Sequence, residues 1–168
     1  MRRIDAAAAV FLALCVSCLL ARLGSVPAMS LDEAWIGLYA TRLRHHGFYT
    51  PHAMNHYTGP LYGFLVACAF ALKGTALETL RLPGAWLNAA ALTGIWLHLR
   101  RRVSPEAGAT WLLLVAGSAY LLMKSRLGWE VYALHPALIL GTIIALAGPG
   151  GGPLLIALTL IGTLNHYI

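Results

Sequence analysis

The residues of this chain best suited to chemistry are two adjacent carboxylates, Asp32 and Glu33, and two arginines, Arg81 and Arg126. A guanidinium can hold a phosphate with two parallel hydrogen bonds and a permanent charge. A carboxylate can take the proton of an attacking hydroxyl. All four, together with Glu130, fall at the ends of apolar runs or in the polar stretches beside them. Charges at that depth are costly unless they are solvated, paired with one another or set against a charged ligand. The same pattern also fits ion pairs that serve the fold alone. The acidic pair has a local role in either case. Ser30 can cap a helix whose first turn holds Asp32 and Glu33, where the helix dipole favours negative charge.

The surroundings of these residues are those of a membrane protein. The chain of 168 residues is 59% hydrophobic and only 11% charged, with a mean hydropathy of +0.71. A soluble domain carries roughly a quarter charged residues. The net charge of +6 gives no reason to expect nucleic acid, because the arginines sit at span ends, where basic residues set orientation. Cys15, Cys18 and Cys68 all lie in apolar runs, and the C-x-x-C spacing of the first two reads as packing rather than redox chemistry.

Taken in order, a basic start leads into a first span over residues 6–23, uncleaved, with its N-terminus in the cytoplasm. An outer loop over 24–80 follows. It holds an amphipathic interfacial helix over 31–44, ended by Gly47, and a short apolar helix over 60–72 that dips into the membrane without crossing it. Arg81 opens a span over 82–99 that closes on Arg100, Arg101 and Arg102, a basic cluster expected on the cytoplasmic side. Further spans are predicted over 107–123 and 131–147, the latter bent at His135-Pro136. Residues 154–168 begin a fifth span, so the sequence reads as a truncated chain or fragment. The expectation is an all-α integral membrane bundle with four complete spans, part of a fifth, and a helical loop at the outer face.

The order of elements resembles the N-terminal part of GT-C membrane glycosyltransferases, and most of all the protein O-mannosyltransferase and aminoarabinose transferase group. The residues that carry the resemblance are Asp32-Glu33 in the outer loop, GPLYG from Gly59 to Gly63, RLPGA from Arg81 to Ala85 with LHLRRR at the far end of that span, and SRLGWE from Ser125 to Glu130. Each motif is short; their order and spacing cover nearly the whole chain. The resemblance implies transfer of a sugar from a polyprenyl-phosphate donor to a lipid, glycan or protein acceptor at the outer face of a bacterial inner membrane. It makes Asp32 the catalytic base, with Glu33 beside it, and Arg81 and Arg126 the holders of the donor phosphate. Glu130 is a supporting acid. Some relatives carry a Lys or His just before paired prolines; this chain has Thr58-Gly59-Pro60 there, which puts His56 forward as a substitute.

No cofactor is expected. Some relatives use a divalent ion, and His45, His46, His52 and His56 are close in sequence, but they lack a fixed spacing on one helix face and read as solvated loop histidines. His98 and His135 read as polar packing residues inside spans. Two other functions fit parts of the pattern. A transporter or flippase subunit for lipid-linked sugars would also need outer-face charges, but calls for broken helices or charges near the midplane, and no Asp, Glu, Lys or Arg lies in the middle of a predicted span. A non-catalytic membrane remnant is the third.

Overall fold

The computed structural model describes residues 2–47, 58–116, 118–147 and 151–165. They form eight helices and, among the described residues, no strand. The helices are α1 (Arg2–Leu20), α2 (Leu31–His46), α3 (Leu61–Lys73), α4 (Leu77–Arg102), α5 (Pro105–Ala116), α6 (Ala119–Lys124), α7 (Glu130–Ala147) and α8 (Gly152–Asn165). The chain is all-α, as its composition and periodicity imply.

Local signals account for several boundaries. Ser30 Oγ accepts from the Glu33 backbone N–H (3.3 Å), and the Ser30 N–H donates to Glu33 Oε2 (3.0 Å). This reciprocal pair satisfies two amide groups at the start of α2. Gly47 and Gly74, at φ of 72° and 84°, stop α2 and α3 in a left-handed conformation that costs glycine little. Other boundaries differ from expectation. α4 begins at Leu77, so Arg81 lies inside the helix rather than opening it. Pro83 is accommodated within this first part of α4, where the Tyr62 hydroxyl donates to the Leu80 carbonyl at 2.9 Å. The expected span over 107–123 is two helices, with Ser118 outside both. Ser118 is a weaker helix former than the Ala and Leu around it. Within α1, Arg3–Leu20 has a mean hydropathy of 2.0 and is long and apolar enough to cross a membrane. Leu61–Lys73, Val131–Leu146 and Gly152–Asn165 are apolar but shorter.

α4 is the hub, packing against α1, α3, α5 and α7. One core joins Ile36 and Ala40 of α2, Tyr62, Val66 and Phe70 of α3, Leu80 of α4 and Ala133 of α7. A second joins Leu12 and Leu19 of α1, Ala89, Leu92 and Trp96 of α4 and Leu112 of α5. Small residues bring α4 and α7 close: a Cβ added at Gly84 would meet the Ala133 Cβ at 2.6 Å. At one end of α1, Asp5 Oδ1 accepts from Arg100 Nε at 2.7 Å. Beyond the other end, the Leu23 carbonyl accepts from Arg81 at 2.8 Å. α1 and α4 therefore run antiparallel, with a charged group at each end. At about 1.5 Å per residue, α1 spans roughly 28 Å, close to the hydrocarbon thickness of a bilayer.

Candidate functional site

Arg81 and Glu33 meet as a fully buried ion pair, each 0% exposed. Arg81 Nε donates to Glu33 Oε1 at 2.6 Å and Nη2 donates to Oε2 at 2.8 Å. The remaining N–H groups of the guanidinium turn to the connection between α1 and α2. Nη1 donates to the carbonyls of Leu23 and Pro27, both at 2.8 Å, and Nη2 to that of Ala28 at 3.2 Å. A guanidinium has five N–H groups, and here each has an acceptor within the chain. Glu33 is equally engaged. Its Oε1 also accepts from the Gly128 N–H at 2.7 Å, and its Oε2 from the Ser30 N–H. Burial alone would raise the Glu33 carboxyl, but the Arg81, Gly128 and Ser30 hydrogen bonds outweigh it and hold it below its ordinary value.

This pair ties together the α1–α2 connection, the start of α2, the first turns of α4 and the turn before α7. Gly128 is closely packed: an added Cβ would overlap Leu80 Cδ2, so that side chain would have to shift, and would come within 3.3 Å of Glu33 Oε1. The geometry makes Arg81 and Glu33 a structural clasp, in which neither side chain has an open donor for a phosphate.

Arg126 stands beside this clasp in a different condition. It is 9% exposed. Its Nη1 donates to the Cys18 carbonyl at 2.8 Å and its Nη2 to that of Ala21, so it closes the C-terminal end of α1, where helix carbonyls lack partners. Its Nε is buried and has no hydrogen-bond partner among the described residues. No carboxylate among the described residues lies within ion-pairing distance of it. Burial, and then the positive charge of Arg81, pull the Arg126 guanidinium below its ordinary value. Trp129 Nε1, three residues further on, is a second buried donor without a partner among the described residues.

Asp32 contrasts with its neighbour. Successive residues on a helix point about 100° apart, and while Glu33 faces Arg81, the Asp32 carboxylate is half-buried and takes no hydrogen bond or ion pair among the described residues. A neutral buried pair thus stands beside a buried cation without a counter-charge among the described residues, while Asp32, next to Glu33 in sequence, keeps an uncommitted carboxylate. Glu130 is the first residue of α7. His52 and His56 lie outside the described residues; His45 and His46 are exposed at the end of α2. Among the described residues no three His, Cys, Asp or Glu side chains come together as a metal site would require. No family model, no curated protein and no solved structure matches the chain.

The capping box was readable from Ser30 and Glu33, but the pairing of Glu33 with Arg81 was not, since it joins residues 48 positions apart. Asn88 was also missed. Its Nδ2 donates to the carbonyls of Ser125 and Tyr132, both at 3.1 Å. The signal for it is Pro136: a proline has no N–H to offer the carbonyl four residues before it, which is that of Tyr132. Asn88 supplies the missing donor from α4.

Proposed function

We propose that the chain is the N-terminal part of a GT-C-like, polyprenyl-phosphate-dependent glycosyltransferase in a bacterial inner membrane, working at the outer face. The observation that carries this reading is the buried Arg126 guanidinium, without a counter-charge and with its Nε unused, beside the Arg81–Glu33 pair. An unpaired buried cation is expensive, and an anionic oxygen at Nε would offset that cost. The exposed apolar side chains of α1, α5, α7 and α8, among them Val10, Leu14, Leu114, Ile143, Leu146 and Ile156, support a bundle with lipid around it. Surfaces this apolar are a liability in water.

In this reading Arg126, rather than Arg81, binds the donor phosphate, and the Arg81–Glu33 clasp fixes the segments on either side. Asp32 takes the proton of the acceptor hydroxyl as the acceptor oxygen bonds to the anomeric carbon. The bond from that carbon to the phosphate oxygen breaks, and the charge gathering on the leaving lipid phosphate is stabilised by Arg126. A single displacement inverts the anomeric configuration.

The test is binding of polyprenyl-phosphate mannose and polyprenyl-phosphate aminoarabinose to the chain in nanodiscs. Arg126→Ala should weaken binding by about tenfold or more, on the scale of a charge-assisted contact, and Arg126→Lys should restore it only in part. Glu106→Gln, which changes an exposed acid in the first turn of α5, should leave binding near that of the native chain in the same assay. Equal affinity of the native chain and Arg126→Ala for both lipids would make Arg126 a helix-closing residue and nothing more.

A further inference from the structure

A cavity of about 270 Å³ lies between α1, α4, α5, α6 and α7, away from the acidic pair. Its wall is apolar, with Leu19, Leu92, Trp111, Val115 and Ile139 among its residues, and among the described residues no charged side chain lines it. Asn88 does line it, and this side chain is 4% exposed. Its amide orientation is set by its neighbours. Nδ2 donates to two carbonyl oxygens, those of Ser125 and Tyr132. Turning the amide over would place Oδ1 against both of them. Oδ1 is therefore the part of the amide left over, and it is buried without a hydrogen-bond partner among the described residues. A buried acceptor in that condition has lost its water and gained nothing in return.

We infer that this cavity is a binding site for an uncharged lipid alcohol, whose hydroxyl donates to Asn88 Oδ1 and whose hydrocarbon part fills the apolar wall. Each feature excludes an alternative class. Without a cation in the wall, a phosphate or carboxylate has nothing to offset its desolvation. Without a carboxylate, an amine in its charged form is excluded on the same ground. A plain hydrocarbon leaves Oδ1 unsatisfied. One donor on an apolar body meets both demands, as small-molecule sites generally do with few polar groups in an apolar pocket. The device that creates the site is the proline in α7. Pro136 frees the Tyr132 carbonyl, Asn88 turns its N–H groups to that carbonyl and to Ser125, and its oxygen is left facing no protein donor. The inference does not rest on Arg126 or Asp32, and stands or falls apart from the proposed transfer reaction.

The experiment uses the whole chain in nanodiscs and a diazirine-bearing medium-chain alkanol, with labelled residues located by mass spectrometry. Label should fall on wall residues such as Leu92, Trp111, Val115 and Ile139. 1-Decanol should compete about tenfold better than decyl methyl ether, which has similar bulk and no donor, as one buried hydrogen bond implies. Ala91→Phe fills the cavity without touching the bonds of Asn88 and should abolish wall labelling. Asn88→Leu should remove the preference for the alcohol over the ether. Label elsewhere on the chain overturns the proposal. Equal competition by alcohol and ether in the native chain also overturns it, showing an apolar hollow whose amide oxygen is served by water. That comparison needs no variant, so it decides the matter even if Asn88→Leu fails to fold.

Discussion

Replacing Arg81 by Met removes the guanidinium while keeping an unbranched side chain of similar reach. Five hydrogen bonds go with it, two to Glu33 and three to the carbonyls of Leu23, Pro27 and Ala28. Glu33 keeps Gly128 and Ser30 as donors but loses its counter-charge. Because the carboxylate is fully buried, the cost is that of breaking a buried pair on one side, about 3–5 kcal/mol. That is a large part of the roughly 5–15 kcal/mol that holds a typical domain together. Removing both charges, as Arg81→Met with Glu33→Met, takes away the stranded anion and should be at least about 1 kcal/mol more stable than the single change. The assay is reversible SDS titration in mixed micelles, read by helicity. The carboxyl also gives a pH signature. Its folded value lies below the ordinary 4.5, so its contribution is full above that value and is lost as pH falls through the folded one. The native chain should weaken as pH drops below 4.5, and Glu33→Gln should weaken less over the same interval. An Arg81→Met variant within about 1 kcal/mol of the native chain, or a double variant no more stable than the single, would refute the clasp.

Three further outcomes are expected. Asp32→Asn should cut sugar transfer by roughly 10²–10⁴-fold with donor binding unchanged, measured with a labelled polyprenyl-phosphate sugar in membranes; full activity would remove Asp32 from the role of base. Gly128→Ala should cost about 1–3 kcal/mol in the SDS titration, because the new methyl overlaps Leu80, and a neutral result would mean that the 125–129 turn yields easily. Asn88→Leu should cost less in a Pro136→Ala background than in the native chain, with a coupling of about 0.5–3 kcal/mol, since an alanine in place of the proline restores the helix N–H to the Tyr132 carbonyl; simple additivity would separate the two residues.

What could be read from the sequence was local. Ser30 and Glu33 are three apart and bond each other's backbone, so their types announce the start of α2. Gly47 announces the stop of α2 for a different reason, the positive φ that glycine adopts at little cost. The extent of α4 was not legible, because Arg81 and Pro83 look like a helix start when their partners are unknown. With Glu33 placed against Arg81 and Tyr62 against the Leu80 carbonyl, the turn before Pro83 is held helical from outside. The division of 107–123 into α5 and α6 falls at Ser118, a weak signal inside an apolar run. In the charged cluster, the residue types were visible but their roles were not. Nothing in the sequence distinguishes Arg81, whose donors are all taken, from Arg126, whose Nε is not. That difference depends on where the Leu23, Pro27 and Ala28 carbonyls come to rest.

The clasp has a consequence for the order in which the chain is made. Glu33 is synthesised 48 residues before Arg81 and 95 before Gly128. At roughly 5–20 residues per second, Arg81 follows after about 2–10 s and Gly128 later still. Through that delay the acid has only its own helix cap for company, so the segment leaving α1 must stay hydrated while α3 is made. A nascent chain arrested before residue 81 should therefore keep its 21–30 stretch open to protease, and one arrested after α4 has emerged should close it. The ribosome delivers the counter-ion late, and the start of α2 is sealed from a distance rather than by its neighbours.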